Sequence, residues 1–129
     1  LGKQRPEKPA SARVVLADIG YEVDGIPTVF AEAAVAHQAE CLQLGMNVPA
    51  EVIEGSLTTF KADVLWLSAS GPGRRSVSAQ EIQRIVTKAQ KRGIKIVVFG
   101  EKFPRSLETK ATRVNSFGEF SGFIAAISA

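Results

Sequence analysis

Three sets of residues have types and spacing that could do chemistry. The first is acidic. Tyr21-Glu22-Val23-Asp24-Gly25 follows an apolar run that ends near Asp18, so Asp18, Glu22 and Asp24 fall close together. Hard oxygen ligands of this kind can hold a divalent cation, although a solvated acidic loop is the commoner meaning. The second set is Ser68-Ala69-Ser70-Gly71-Pro72-Gly73-Arg74-Arg75. Its hydroxyls, glycine-turn N–H groups and guanidiniums suit an anion such as phosphate. No Gly-Lys-Ser/Thr follows, so it is not a P-loop, and a solvated loop is the plainer alternative.

The third set is two solitary residues. His37 is the only histidine. Near a helix end it reads as a cation beside the last carbonyls; the alternative is an axial ligand for haem. Cys41 is the only cysteine, which excludes an internal disulfide and fits a reducing, cytoplasmic setting. Its place in a strand predicts a buried apolar thiol rather than a nucleophile. No nucleophile–base pair and no metal-ligand motif is present, so an autonomous enzyme is not expected.

The elements that must position these groups alternate. Residues 13–19 form an apolar strand, and a loop over 20–26 leads to a helix from Pro27 to about residue 37. A short strand over 40–44 ends in a glycine turn. Pro49 then opens a helix to about Thr59, because its missing N–H suits a first turn. Val52, Ile53 and Leu57 are its apolar face. Residues 63–68 read as a strand buried on both sides, with Trp66 in the core. Ser78-Ala79-Gln80-Glu81 is a capping box. The helix behind it sets Ile82, Ile85, Val86 and Ala89 opposite Arg84, Lys88, Lys91 and Arg92, and stops at Gly93. Residues 94–99 are a fourth strand, 111–114 a short fifth, and Ser116-Phe117-Gly118-Glu119 a second capping box before the terminal helix. This alternation predicts a single α/β domain with an open, about five-stranded parallel sheet and helices on both faces.

With 129 residues the chain buries roughly two-thirds of its unfolded surface, enough for a real core. No apolar run reaches the roughly 20 residues of a membrane helix, so membrane partners are not expected. The net charge is +3. Residues 1–11, which include Lys3, Arg5, Glu7 and Lys8, read as a polar linker to the domain over 12–129. The basic helix face reads as solvated surface, and direct nucleic-acid contact is not expected of this domain.

Leu44-Gly45 followed by Val48-Pro49-Ala50-Glu51, then Ala62-Asp63 and a strand ending in serine, then Gly93-Ile94-Lys95-Ile96-Val97-Val98-Phe99-Gly100, resembles cobalamin-binding domains in order and spacing. The resemblance covers roughly residues 13–127 and implies a flavodoxin-like or Rossmann-like fold. The family's first loop carries Asp-x-His-x-x-Gly, whose histidine is the lower axial ligand of cobalt. Here that motif falls on residues 21–26, and Val23 stands in the histidine's place. Valine has no lone pair, so cobalamin binding through histidine is not expected. Ser68 and Ser70 match the serine turn that reaches the nucleotide tail. Gly100 matches the first glycine of a pair whose second is replaced by Glu101. The resemblance therefore places a degenerate cofactor site on Tyr21, Glu22, Val23, Asp24, Gly25, Ser68, Ser70, Gly71, Gly100 and Glu101. A receiver-type phosphoacceptor is not expected, because Ser68 replaces the aspartate needed at the end of the third strand.

These readings converge on a non-catalytic sensory or regulatory module, similar to the sensor domains of transcriptional regulators, with an upstream DNA-binding or other partner domain. It would take cobalamin without histidine ligation, or haem, or no cofactor. The alternatives are an accessory domain of a cobalamin mutase or methyltransferase, and a ligand-free scaffold for protein contacts.

Overall fold

The computed structural model describes residues 11–20, 27–71, 75–100 and 102–128. Strands β1 (Ala12–Asp18), β2 (Ala39–Gly45), β3 (Val64–Ser68), β4 (Lys95–Phe99) and β5 (Thr112–Val114) alternate with helices α1 (Pro27–Val35), α2 (Ala50–Thr59), α3 (Ala79–Lys91) and α4 (Phe117–Ser128). A 3-10 turn, Arg105–Thr109, precedes β5. Every strand pair is parallel, in the order β2-β1-β3-β4-β5. The expected open parallel α/β sheet is therefore present.

Strand side chains alternate between the faces. Val15, Ala17, Leu65, Leu67, Ile96 and Val98 pack against α2 and α3. Val14, Leu16, Val64, Trp66 and Val97 pack against α1 and α4. Trp66 is fully buried, as expected, and its ring meets Phe99, Phe117 and Phe120 at centroid distances of 5.0, 6.1 and 4.7 Å.

Local chemistry sets most boundaries. Ser78 Oγ accepts from the Glu81 N–H at 3.1 Å, and the Glu81 carboxylate accepts from the Ser78 N–H at 2.9 Å, which completes the capping box of α3. Gly93 ends it at φ +75°, where a side chain would be strained. The second box is shifted. Ser116 Oγ accepts from the Glu119 N–H at 3.0 Å, but the Glu119 carboxylate reaches the Asn115 N–H instead of that of Ser116. Pro49 is not the first residue of α2; it precedes the helix as its cap residue, and its carbonyl accepts from Val52 and Ile53.

Three expectations need correction. Helix α1 stops at Val35 rather than near 37, where the Gln38 N–H bonds the Val35 carbonyl in a turn. Val52 is 44% exposed; only Ile53 and Leu57 of the predicted apolar triplet, with Ala50, are buried. Cys41 is half-buried, because β2 is an edge strand.

The helical layers differ in charge. In the α2/α3 layer, Glu54 of α2 binds Arg84 at 2.7 Å and Lys88 at 2.9 Å of α3. Helices α1 and α4 contain no lysine or arginine. No helix among the described residues is long and apolar enough to cross a membrane.

Candidate functional site at the sheet switch point

Strand order reverses between β1 and β3, the place where open α/β sheets bind ligands beyond their carboxyl ends. The β1–β3 register sets Asp18 opposite Ser68. Asp18 is fully buried. Its Oδ1 accepts from the Gly20 N–H at 2.7 Å, the Ser70 N–H at 3.0 Å and the Ser70 hydroxyl at 2.9 Å. Its Oδ2 accepts from the Ser68 hydroxyl at 2.8 Å. Ser68 Oγ accepts in turn from the Trp66 indole N–H at 3.0 Å. A buried carboxylate needs such donors to replace water.

The backbone closes around this group. The Ile19 N–H bonds the Ser68 carbonyl, and the Val48 and Asn47 N–H groups bond the carbonyls of Asp18 and Gly20. Gly20 is required by space: a Cβ there would lie 1.9 Å from the Ser70 carbonyl oxygen. Ser76 Oγ donates to the Val48 carbonyl at 2.6 Å, which fastens the following loop to the turn after β2.

Beside this network lies a groove of about 240 Å³, bordered by Pro27, Ser68, Ser70, Phe99, Gly100 and Lys102. Ser68, Ser70 and Gly100 thus border one groove. Gly71 stands at the margin, where its carbonyl accepts from the Lys102 ammonium. Gly100 has φ +85°, with its N–H on the Val114 carbonyl and its own carbonyl on Arg113. Tyr21, Glu22, Val23, Asp24, Gly25 and Glu101 lie outside the described residues.

Two of the alternatives raised by the sequence do not fit the geometry. His37 is exposed in the turn before β2, whose first residue pairs with the first residue of β1. It therefore sits at the amino end of the sheet, opposite the groove, and cannot ligate a haem held there. Asp18 is no cation ligand with Glu22 and Asp24, because its oxygens face N–H and O–H donors; no metal-binding group of three acidic, histidine or cysteine residues occurs among the described residues. The Cys41 thiol is pushed up to about 11 by burial and then by the Glu32 carboxylate, which fits the expected unreactive cysteine.

The residue that sequence reading undervalued is Asp18. Its partners Ser68 and Ser70 lie 50 and 52 positions away. The available signal was an aspartate closing a strand that the fold places at the centre of the sheet.

No protein-family model and no curated protein matches the chain. Solved structures do. A cobalamin-binding protein of Desulfitobacterium hafniense superposes with TM-score 0.67 at 17% identity over 90% of this chain and 58% of its own. The methanol:cobalamin methyltransferase complex of Methanosarcina barkeri gives TM-score 0.68 at 17% identity over 93% of this chain and 48% of its own.

The chain has the cobalamin-binding-type fold.

It spans about half to three-fifths of those two chains. A response regulator of Burkholderia multivorans shares the same general topology, with TM-score 0.57 at 15% identity over 92% of this chain and 96% of its own. Within the cobalamin-binding-type fold, the described residues do not fit a histidine-ligated cobalamin. No imidazole lies at this end of the sheet, and Val23 supplies no lone pair. Each serine hydroxyl has one proton, and both protons are spent on Asp18. The groove is also smaller than the roughly 300–1,000 Å³ of small-molecule pockets.

Proposed function

We propose that this domain is a non-catalytic regulatory module that keeps the cobalamin-binding-type fold and works through protein contacts rather than cobalt chemistry. One observation carries the reading. The serines that the resemblance assigns to a nucleotide tail donate inward to Asp18, so the switch point satisfies itself. Its polar groups hold β1, β3 and the next loop in one arrangement and, among the described residues, leave no serine donor aimed at a cofactor. The likeness to a response regulator of Burkholderia multivorans agrees with a regulatory role. An upstream DNA-binding domain is the partner this reading favours, with residues 1–11 as the connection and a cytoplasmic setting.

The test is titration of the purified domain with hydroxocobalamin, adenosylcobalamin and haem, followed by visible spectra and binding heat. The expected result is no saturable spectral change at micromolar ligand. Micromolar binding with a shifted cobalamin spectrum would replace this reading with a cobalamin sensor lacking histidine ligation. A shifted haem spectrum would point to a haem sensor.

A further inference from the structure

Arg75, in the loop that follows Ser70, donates no hydrogen bond to Asp18, yet it has a defined place. It lies at the rim of a cleft of about 430 Å³ between the start of α3 and the segment after β4, with Val77, Ile82, Gln83, Lys102 and Phe103 around it. Val77, Ile82 and Phe103 are buried and form an apolar floor. The Arg75 guanidinium stands 5.5 Å from the Phe103 ring centroid, a cation–π distance, and donates to the Lys102 carbonyl at 2.7 Å. Two cationic side chains thus border one apolar cleft. Elsewhere in the fold, Arg13, Arg84 and Arg113 each have a carboxylate partner. Among the described residues, Arg75 and Lys102 have none, as is true of Lys61, Lys91, Arg92, Lys95, Arg105 and Lys110, but only Arg75 and Lys102 border this cleft. Ala79, the first residue of α3, also borders the cleft.

We propose that this cleft is a ligand site for a small anion with an apolar body, a carboxylate or phosphate monoester whose charged group is held by Arg75 and Lys102. The charge complementarity sets the anion, because two cations that have no carboxylate partner among the described residues border one cleft and favour a negative group. The walls set the body, since a bare inorganic anion leaves the exposed apolar side chains of Ala79 and Pro104 on the cleft uncovered. The volume falls within the ordinary range of small-molecule pockets. Among the described residues, Lys102 is the one shared with the switch-point groove. The site stands independently of the regulatory reading, and gives a regulatory module an effector to read.

The experiment uses octyl phosphate and octanoate as probes, with inorganic phosphate and octanol as controls. Binding is followed by calorimetry and by amide chemical shifts. One or both amphiphilic anions bind one-to-one with a dissociation constant between about 0.05 and 1 mM, shift the amides of Ile82, Gln83 and Phe103, and bind at least roughly tenfold more tightly than either control. Which probe binds more tightly distinguishes a carboxylate from a phosphate ester. Arg75→Gln and Lys102→Gln each weaken binding by roughly tenfold, with far-UV spectra unchanged. Absence of saturable binding by both amphiphiles would overturn the proposal. So would binding that survives the double variant, or shifts confined to α1, whose Phe30 is 53% exposed.

Discussion

At the scale of residues, the molecule turns on Asp18. A carboxylate accepting four hydrogen bonds in a dry place is stable only while each donor remains. Asp18→Asn keeps the shape but removes the charge that four donors face, and an NH₂ group in the Oδ2 position takes away the acceptor of the Ser68 hydroxyl proton. The expected loss is about 2–4 kcal/mol in urea unfolding; a loss under 1 kcal/mol would show that the network contributes little. Cys41 makes the opposite case, a reactive type held inert. Its folded pKa of about 11 lies above the roughly 8.5 of an exposed thiol. The folded state therefore holds its proton longer, and this contribution to stability is full below about pH 8.5 and lost as pH rises toward 11. Iodoacetamide should alkylate the native thiol far more slowly at pH 8 than the urea-unfolded chain; equal rates would mean the thiol is not protected.

At the scale of elements, sequence alone carried most of the frame. Apolar runs marked the strands, Ser78 and Gly93 bracketed α3, and Gly45 with Pro49 marked the turn into α2. Those signals are local, and each acts within a few residues. The site was legible only in part, because Asp18, Ser68 and Ser70 meet through the β1–β3 register, which no short window contains. Val52 was misplaced for a related reason. Helical spacing identifies an apolar face, but the sheet and α3 decide which edge of that face is covered, and Glu54 faces α3. This α2–α3 tie has its own pH dependence. The Lys88 ammonium and Arg84 guanidinium hold the Glu54 carboxyl below the usual carboxylate range. A lowered carboxylate stabilises the fold above its unfolded pKa of about 4.3, and that stabilisation is lost as pH falls through the folded value. Glu54→Gln should lower the melting temperature at pH 7 and do so much less at pH 3; an equal drop at both would assign the effect to packing.

At the scale of the whole molecule, two cores share one sheet. Strands β1 and β3 send alternate residues to each, so neither core can melt while the sheet stays intact. Ile85→Ala on one face and Phe120→Ala on the other should each cost about 2–5 kcal/mol and leave a single transition. Far-UV and near-UV dichroism should report the same midpoint in both variants. Separate midpoints would mean that the faces unfold independently. The one tryptophan of the chain bears on the same unity. Trp66 is sealed among phenylalanine rings, and its only polar contact among the described residues is the hydroxyl that also holds Asp18. Its fluorescence therefore comes from a single, defined place. Emission should lie at the blue end for an indole and move to the red when water reaches the switch point, so the domain carries an optical gauge of its own switch-point end with no label attached.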